Sequence, residues 1–513
     1  MQPKRWALIS VTDKTNLATF AKALQNVGYS LLSTGKTASE IRRAGLEVTE
    51  LSDYTGFPEC FEGRLKTLHP KIFGGILHRD LQEDLEICRN LQIESIDIVC
   101  VNLYPFENTI ESAPDDLKQA LEMIDIGGPS LIRAAAKNYR RTLVVTSVAD
   151  YDTVISKLQA GENTESFRFQ MAVKAFQTTS AYDAAISNYL TERSEDTEFP
   201  SQVRLALQKR EDLRYGENPH QRASLYTVTT PKEVPQPFEQ LQGKPLSFNN
   251  HLDMHAAVCL MADLEIYEKP AAAIIKHTNP CGVALSPSVQ EAFQRALSTD
   301  PMSAFGGIVV LNRPVDAPLA TKLTETFFEI IVAPEIETDA CSIFRQKKNL
   351  RVCRIPLKRP NIRWDIKRLL WGYLIQTPDT ETDTPSEWNV VTERRPSAEE
   401  EAQLAFAWTL VKHVKSNAIV ITRDFQALGI GAGQMSRIDA CRLAIQKWGK
   451  PLDGAVVASD AFFPFKDNIE EVARAGVRAI IQPGGSLRDQ ESIDAANAYK
   501  IAMIFTGRRH FRH

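Results

Sequence analysis

The chain has 513 residues, too many for one compact core, so we expect about two to four domains. Hydrophobic residues make up 43% and charged residues 24%, which is typical of a folded protein and excludes an extensively disordered one. The formal net charge of -4 gives no global signal for binding nucleic acid or a membrane surface.

The cysteines and the apolar runs indicate the compartment. No apolar run approaches the roughly 18 residues that cross a bilayer, and MQPKRWALIS lacks the apolar stretch of a signal peptide. The eight cysteines include no C-x-x-C pair, which argues against a zinc ribbon or a disulfide framework. We therefore expect a cytoplasmic protein with reduced thiols that binds no nucleic acid, no membrane and no catalytic metal.

The first 190 residues alternate strand-like and helix-like segments. The short runs WALIS, YSLLST, EVTEL, IDIVCVNLY and TLVVTSV predict strands, and TNLATFAKALQNVG, GKTASEIRRAG and GPSLIRAAAKN predict helices. This order is typical of a parallel α/β sheet. The polar, proline-containing segment TERSEDTEFPSQ at 191–202 predicts a linker, so we place one domain at 1–195 and another at 200–513.

The second part has the same α/β character in two sections. AAAIIKH and FGGIVVLN predict strands of the first section, and NAIVIT, ALGIGAG, DGAVVASD and VRAIIQPGGS predict those of the second. The stretch between them is irregular and rich in Pro, Thr and charge, which predicts a sub-boundary within 334–398. No repeat of fixed period is visible.

Two segments of the first part could bind an anion. The turn LLSTGKTASE places hydroxyls and free N–H groups at a helix start, which suits a phosphate, although a plain capped helix has the same pattern. FEGRLKTLHPKIFGGIL carries four potential cations, Arg64, Lys66, His69 and Lys71. They could bind an anion or form an ordinary solvated basic surface.

Two further segments add polar groups at predicted loops and helix starts. Asn102 and Tyr104 follow a strand, at the sheet edge where α/β proteins bind ligands. In MIDIGGPSLIRAAAKN, Asp125 precedes a glycine turn, and Arg133 and Lys137 share a helix face. Asp125 could be only a turn residue and Lys137 only a surface lysine. Four such segments in one small domain favour a ligand site.

The second part contains EDLRYGENPHQRASLY, a turn-rich segment with many kinds of functional group. His251 and His255 are four residues apart in NNHLDMHAA, a spacing that zinc ligands can have. No glutamate follows the first histidine and no third ligand is evident, so two ordinary histidines near a helix N-terminus are favoured.

Lys276 and His277 end a predicted buried strand in AAAIIKHTNPCGVALS. The proline and glycine that follow are expected to fix a loop that directs both side chains into a cleft. A neutral imidazole as base beside a charged lysine fits this pattern, and a structural pair is the alternative. Cys281 could be a nucleophile with His277 as its base, but Asn279-Pro280 disfavours the helix that would join them.

Taken together, these motifs resemble a known family. STGKTA, EGRLKTLHPKI, IDIGGPSLIRAAAKN, LRYGENPHQ, IIKHTNPCGVA, AFGGIVVLN, KSNAIVI, GIGAGQMSRIDA and SDAFFPFKDNIE are similar to segments of the bifunctional purine-biosynthesis enzymes. Those enzymes combine 5-aminoimidazole-4-carboxamide ribonucleotide (AICAR) transformylase with IMP cyclohydrolase. The motifs run in the family's order from residue 10 to the C-terminus.

The resemblance implies an α/β fold with a methylglyoxal-synthase-like first domain that closes the purine ring of formyl-AICAR (FAICAR) to give IMP. It implies a nucleotide site that includes Ser33, Thr34, Gly35, Thr37, Arg64, Thr67, Asn102 and Gly127. It further implies that Lys66, Tyr104, Asp125 and Lys137 surround the reacting groups, where ring closure needs an oriented nucleophile, a stabilised oxyanion and a proton shuttle.

The second part is implied to be the transformylase, built from two cytidine-deaminase-like α/β subdomains. It would move a formyl group from the cosubstrate 10-formyltetrahydrofolate to AICAR, with His277 as base, Lys276 as proton donor and Asn417 at the formyl group. Implied nucleotide-binding residues are Arg214, Tyr215, Phe305, Gly306, Glu329, Arg437, Phe463 and Arg509. No His/Cys ligand set accompanies the deaminase-like fold, so no metal is implied.

The resemblance also implies a homodimer with sites built from both subunits. The chain departs from the family pattern at Trp371 and Thr377, which concerns the folate pocket. Two alternatives remain open at this point: a cyclohydrolase with an inactive transformylase scaffold, and an AICAR-binding module without turnover.

Overall fold

The computed structural model describes residues 4–194, 198–228, 238–358, 362–381 and 385–513. The chain forms two compact units. Unit 1 is built from the described residues of Met1–Leu207 and Val228–Lys232, and unit 2 from those of Gln208–Thr227 and Glu233–His513. In the described ranges no helix combines the length and the apolar composition needed to cross a membrane.

Unit 1 is a parallel sheet covered by helices. Its strands are β1 Arg5–Ser10, β2 Tyr29–Ser33, β3 Thr49–Glu50, β4 Ile96–Val101 and β5 Leu143–Val145, and they pair in the order β3-β2-β1-β4-β5. Every pair is parallel. Strands β1, β2, β4 and β5 are largely buried apolar runs, as a sheet with both faces covered requires, and all five strands lie in runs that the sequence predicted.

The helices of unit 1 are α1 Leu17–Asn26, α2 Gly35–Arg43, α3 Leu51–Thr55, α4 Pro70–Leu77, α5 Gln82–Asn90, α6 Phe106–Ser112, α7 Leu117–Glu122, α8 Gly127–Lys137, α9 Tyr151–Gln159 and α10 Glu165–Ser194. Helix α10 runs for 30 residues and includes the first part of the predicted linker. That part of the prediction was wrong, because the alanines and aromatic residues of the helix continue its packing up to Tyr189. Residues 195–197 lie outside the described residues.

The described residues of unit 2 contain one mixed sheet of twelve strands. Its strands are β8 Glu239–Gln242, β9 Ala271–Lys276, β10 Asn279–Leu285, β11 Ile308–Leu311, β12 Ile330–Ala333, β13 Arg351–Arg354, β16 Asn389–Val390, β17 Ile419–Arg423, β18 Gln426–Gly431, β19 Val456–Ser459, β20 Ala479–Gln482 and β21 Ala502–Phe505. Two hairpins are separate from it: β6 Leu207–Leu213 with β7 Ala223–Val228, and β14 Asp365–Leu369 with β15 Gly372–Gln376.

The helices of unit 2 are α11 Phe248–Leu264, α12 Val289–Thr299, α13 Pro301–Ala304, α14 Ala317–Leu323, α15 Thr338–Phe344, α16 Ala398–Val411, α17 Arg437–Trp448, α18 Asp467–Arg474 and α19 Asp489–Ala498. Residues 334–398 are less irregular than the sequence indicated, since they include α15, β13 and the β14–β15 hairpin. The hairpin was missed because its strands are short, polar and exposed and so have no buried face to produce an alternating pattern.

The large sheet consists of two halves with the same topology. Its order is β16-β21-β20-β19-β17-β18-β10-β9-β11-β12-β13-β8, so the hairpin β9–β10 corresponds to β17–β18, and β11-β12-β13 corresponds to β19-β20-β21. In each half the first strand, β8 or β16, is followed by a helix capped by a serine, Ser247 for α11 and Ser397 for α16. The halves meet where β10 pairs with β18 in the antiparallel sense. Neighbouring loops of the two halves can therefore share a site.

Candidate active sites

In unit 1, the loops after the parallel strands form one polar cluster. The side chain of Asn102, just after β4, accepts hydrogen bonds from Thr12 N at 2.5 Å and Asp13 N at 3.0 Å in the loop after β1. Ser10 Oγ, at the end of β1, lies 3.4 Å from Thr34 Oγ1, just after β2. The carboxyl ends of β1, β2 and β4 thus meet at one sheet edge, where such folds bind ligands.

Two hydroxyls that were predicted to bind the nucleotide form hydrogen bonds within the protein instead. Ser33 is fully buried and its Oγ donates to the carbonyl of Ile9 at 2.7 Å. Thr37 Oγ1 donates to the carbonyl of Val11 at 3.0 Å and accepts from its N–H at 3.3 Å. These hydroxyls hold the start of α2 against β1, so the groups left to face a ligand are Thr34, Gly35 and the first N–H groups of α2.

Asp125 joins the loop after β4 to the start of α8. Its carboxylate accepts a hydrogen bond from Gly128 N at 2.8 Å, and the N–H groups of Gly127 and Tyr104 also act on it. Burial raises the pKa of Asp125, and these three N–H groups oppose that shift. The close approach of Thr67 to Gly127 adds a further loop, since a Cβ on Gly127 would lie 2.5 Å from Thr67 Oγ1.

Two basic residues of this region are paired with carboxylates. Lys66 Nζ lies 3.1 Å from Glu59 Oε1, and Arg64 forms an ion pair with Glu122. Lys14, which no sequence motif singled out, has its Nζ 3.5 Å from the carbonyl of Val11 and 3.4 Å from that of Thr12 in the loop after β1. A single lysine after a strand is common on protein surfaces, so its position in the sequence carries no signal of function.

Lys137 lies at the other end of α8 from Gly127. Ten residues of helix separate them, about 15 Å at 1.5 Å per residue. Lys137 and Arg133 instead line a cavity of about 570 Å³ with apolar residues of α4 and α10, including Phe73, Phe169 and Phe176. The single chain therefore does not bring Lys137 to the Asp125 cluster.

In unit 2, the turn between β9 and β10 presents Lys276 and His277. The predicted loop is a two-residue turn: Lys276 pairs with Asn279, and His277 and Thr278 have φ values of 50° and 64°. Pro280 and Gly282 lie within β10, next to a register shift, and do not form the loop. This part of the prediction was wrong because the turn lacks the Asn-Gly signal typical of such geometry.

The side chain of Lys276 reaches a second predicted segment. Its Nζ donates a hydrogen bond to the carbonyl of Phe305, and a Cβ on Gly306 would lie 3.5 Å from that nitrogen. Phe305 is exposed and its ring lies 5.3 Å from that of Phe327. Lysine, histidine and an exposed aromatic pair therefore lie side by side in this structure.

The turn is linked to the other half of the sheet. Asn279 Oδ1 accepts a hydrogen bond from Lys415 N at 2.9 Å, two residues before Asn417. Asn417 lines a second cavity, also of about 570 Å³, together with Arg437, Arg509 and the rings of Phe462, Phe465 and Phe511. Two cations beside flat apolar rings suit an anionic ligand that carries an aromatic ring.

Asn417 and Arg437 belong to a buried network. Arg437 donates to Asn417 Oδ1 at 2.6 Å and to Asp460 Oδ1 at 2.5 Å, and Asp460 is fully buried. Asn417 Nδ2 donates to the carbonyls of Gln434 at 2.8 Å and Met435 at 3.2 Å. Both N–H groups of Asn417 Nδ2 are thus engaged, so Asn417 would donate to a substrate only by giving up one of the two bonds to these carbonyls.

The other residues of unit 2 that were predicted to bind the nucleotide have the following surroundings. Phe463 is fully buried in the core, while its neighbours Phe462 and Phe465 line the cavity. Glu329 accepts from Asn250 Nδ2 at 3.1 Å. Arg214 and Tyr215 follow β6, with Arg214 exposed and bonded to the Tyr215 hydroxyl at 3.1 Å.

The histidine pair and Cys281 can now be placed in the described residues. Within those residues no group of three or more His, Cys, Asp or Glu side chains could hold a metal ion. His251 packs against Phe238, and His255 lies beside Cys259 on the same helix. Burial raises the pKa of Cys281 to about 12, which keeps it a thiol, and its Sγ lies 3.4 Å from the carbonyl of Ile274.

The sequence matches two family models. One, described as "AICARFT/IMPCHase bienzyme", matches residues 135–447, and the other, described as "MGS-like domain", matches residues 16–130. The chain belongs to the AICARFT/IMPCHase bienzyme family. The sequence predicted a methylglyoxal-synthase-like first domain followed by a transformylase region. The order of the two matches confirms this prediction.

Relatives of the bienzyme family align along the whole chain. A bifunctional purine biosynthesis protein PurH of Synechocystis sp. is 48% identical over 512 residues, 99% of this chain and 100% of its own. Another of the same name, from Acidithiobacillus ferrooxidans, is 49% identical over 518 residues, 99% of each chain. A solved structure described as "Crystal structure of ForH" is 32% identical, covering 37% of this chain and 99% of its own, with a TM-score of 0.34.

Proposed function

We propose how the two activities of this bifunctional enzyme are divided between its units. Unit 1 carries the IMP cyclohydrolase site at the carboxyl edge of its parallel sheet. Unit 2 carries the AICAR transformylase site, with 10-formyltetrahydrofolate as the cosubstrate. The observation that carries the proposal is the meeting of Lys276, Phe305 and Gly306 beside the His277 turn, which is itself bonded to the segment that leads to Asn417.

The transformylase residues have separate roles in this proposal. His277 takes a proton from the 5-amino group of AICAR as the nitrogen attacks the formyl carbon of the cosubstrate. The bond between that carbon and N10 of the folate breaks, and Lys276 gives a proton to N10. Arg437 and Arg509 bind the nucleotide anion, and Asn417 bonds to the formyl oxygen after releasing Met435.

The cyclohydrolase residues act on the product of the first reaction. The start of α2 binds the phosphate, because its free N–H groups and the helix dipole favour negative charge. Lys36 in the same turn adds a positive charge. The carboxamide nitrogen of FAICAR then attacks the formyl carbon, and the ring closes with loss of water. Asp125 accepts the carboxamide proton, and Lys66 and Tyr104 stabilise the oxyanion.

The proposal is tested by single-turnover conversion of AICAR and 10-formyltetrahydrofolate, with tetrahydrofolate and IMP measured separately. We expect His277→Ala to lower formyl transfer by about 100-fold or more while supplied FAICAR is still closed at the wild-type rate. Lys66→Ala should do the reverse, so each variant is the control for the other. Equal loss of both activities in either variant, or unchanged formyl transfer in His277→Ala, would contradict the proposal.

The proposed enzyme is a cytoplasmic homodimer. Its site residues include exposed aromatic groups such as Phe305, 58% exposed, which a second copy of the chain would cover in part. Sedimentation equilibrium of the purified protein should give twice the chain mass of 57.4 kDa. A mass of one chain under assay conditions would count against this part of the proposal.

A further inference from the structure

Asp253 lies in α11 beside the turn that carries His277. Its Oδ1 accepts a hydrogen bond from the backbone N–H of Thr278 at 2.6 Å, across 25 positions of sequence. Helix α11 begins in a capping box formed by Ser247 and Asn250, and it packs against β9. The helix and the turn are therefore held in a fixed relation.

The turn needs such support because both of its residues adopt left-handed backbone conformations. His277 has φ 50° and Thr278 has φ 64°, values that residues with a Cβ avoid, and β-branched residues most of all. The N–H of Thr278 lies outside the β9–β10 ladder, which begins with the pair Lys276 and Asn279. Its bond to Asp253 thus gives the strained turn a partner that the sheet does not provide.

The Asp253 carboxylate also faces the charged groups of the site. Burial raises the pKa of Asp253, and the hydrogen bond from Thr278 and the charges of His277 and Lys276 oppose this shift. Glu329 also faces Asp253, but it is engaged by Asn250 at 3.1 Å and lies 3.6 Å from Arg351. The Asp253 carboxylate therefore lies close enough to His277 and Lys276 for their charges to act on it.

We infer that Asp253 is a positioning residue for formyl transfer, which holds the His277–Thr278 turn through Thr278 N–H and stabilises the imidazolium of His277. The inference rests on the proposed function, in which His277 is the base. No bond is made or broken at Asp253. The proton from the amine of AICAR stays on His277 until it returns to solvent, and Asp253 remains ionised.

The test is the pH profile of formyl transfer in the full-length protein. Asp253→Asn keeps an oxygen that can accept from Thr278 N–H but removes the charge, and Asp253→Ala removes both. We expect the acid limb of kcat to move to lower pH by at least about half a unit in both variants, because an imidazolium loses its charge partner. We expect kcat to fall about 10-fold in Asp253→Asn and further in Asp253→Ala, with KM for AICAR nearly unchanged.

Two controls separate this inference from its alternatives. Asp316→Asn changes a carboxylate that also accepts a backbone N–H, from Leu319 at 2.8 Å, but near the opposite end of β9; its profile should equal that of the wild type. Urea denaturation followed by tryptophan fluorescence reports whether unit 2 of each variant is folded, because all tryptophans except Trp6 lie in that unit. If Asp253→Ala does not fold, Asp253→Asn alone decides.

An unmoved acid limb in Asp253→Asn overturns the inference, whatever happens to kcat, because a merely structural residue would lower kcat without moving the limb. A parallel His277→Ala variant identifies the other failure. If that variant still transfers formyl groups, the proposed base is wrong. If it does not, and the limb stays in place in Asp253→Asn, only the role of Asp253 is wrong.

Discussion

Asp125 shows how the setting of a single side chain changes its chemistry. It caps the start of α8 through Gly128 and is bridged by its own N–H to the hydroxyl of Tyr182, at 2.8 Å. Both readings of the sequence, turn residue and functional carboxylate, therefore describe the same side chain. Burial raises its pKa, so it gains a proton at a higher pH than an exposed aspartate.

This shift predicts the pH dependence of ring closure. If the ionised form of Asp125 accepts a proton from FAICAR, cyclohydrolase activity should rise with pH over a range above 3.8, the ordinary value for aspartate. Asp125→Asn should remove that limb and lower kcat by about 100-fold. The measurement is the initial rate of ring closure against pH.

Asp116 offers a matched control for this prediction. Its carboxylate caps α7 by accepting from Gln119 N at 2.9 Å, and it is exposed. Asp116→Asn should leave the limb in place. An acid limb that survives in Asp125→Asn would assign the base to another group.

At the scale of the elements, each of the hairpins β9–β10 and β17–β18 contacts the backbone of a helix at a glycine. A Cβ on Gly282 of β10 would lie 1.9 Å from the carbonyl oxygen of Ala296 in α12. A Cβ on Gly429 of β18 would lie 1.9 Å from that of Ala444 in α17. The strands need glycine here because the obstacle is helix backbone, which cannot move aside as a side chain can.

We predict that Gly282→Ala and Gly429→Ala each lower the free energy of unfolding of unit 2 by about 3 kcal/mol. Gly485→Ala is the control, since Gly485 has φ of +93° but nothing within 4 Å of a new Cβ, and should cost only about 1 kcal/mol. Urea denaturation followed by tryptophan fluorescence measures this, because all tryptophans except Trp6 lie in unit 2. If all three variants lose the same free energy of unfolding, α12 and α17 must move away from the new Cβ atoms at little cost, and the prediction is wrong.

The same elements show what the sequence could predict. Long apolar runs such as AAAIIKH and NAIVIT were read as strands because a fully buried strand needs a continuous apolar run. The four-residue strands β12, β13 and β21 were missed, whereas β11, β19 and β20, which are equally short, were predicted because each lies in an apolar run next to glycine or a polar turn. Family motifs named Lys276, Phe305 and Gly306, but Asp253 was missed because its bond to Thr278 joins residues 25 positions apart.

Across the whole of unit 2, the duplicated topology produces two equivalent turns, one between β9 and β10 and one between β17 and β18, with different surroundings. His277 and Thr278 in one half correspond to Asp424 and Phe425 in the other, and all four have positive φ. The ring of Phe425 packs against Tyr267 and Phe406, and Lys269 Nζ lies 4.3 Å from its centroid. The second turn is therefore filled by its own side chain.

This difference predicts that the second turn cannot be made catalytic by exchanging two residues. Arg423→Lys with Asp424→His recreates the Lys-His pair, but we expect no formyl transfer from these changes in a His277→Ala background, because Phe425 takes the space of a ligand. The measurement is tetrahydrofolate release in single turnover. Restored release above the His277→Ala level would show that the pair alone is sufficient.

The outermost strands of the large sheet are short. Among the residues that the structure describes, twelve strands form one ladder, and its two ends are β8, of four residues, and β16, of two. Few unpaired backbone groups are thus offered to a neighbouring chain, which limits edge-to-edge aggregation at the concentrations of a metabolic enzyme. A second copy of the chain would accordingly dock through side chains and would not extend the ladder.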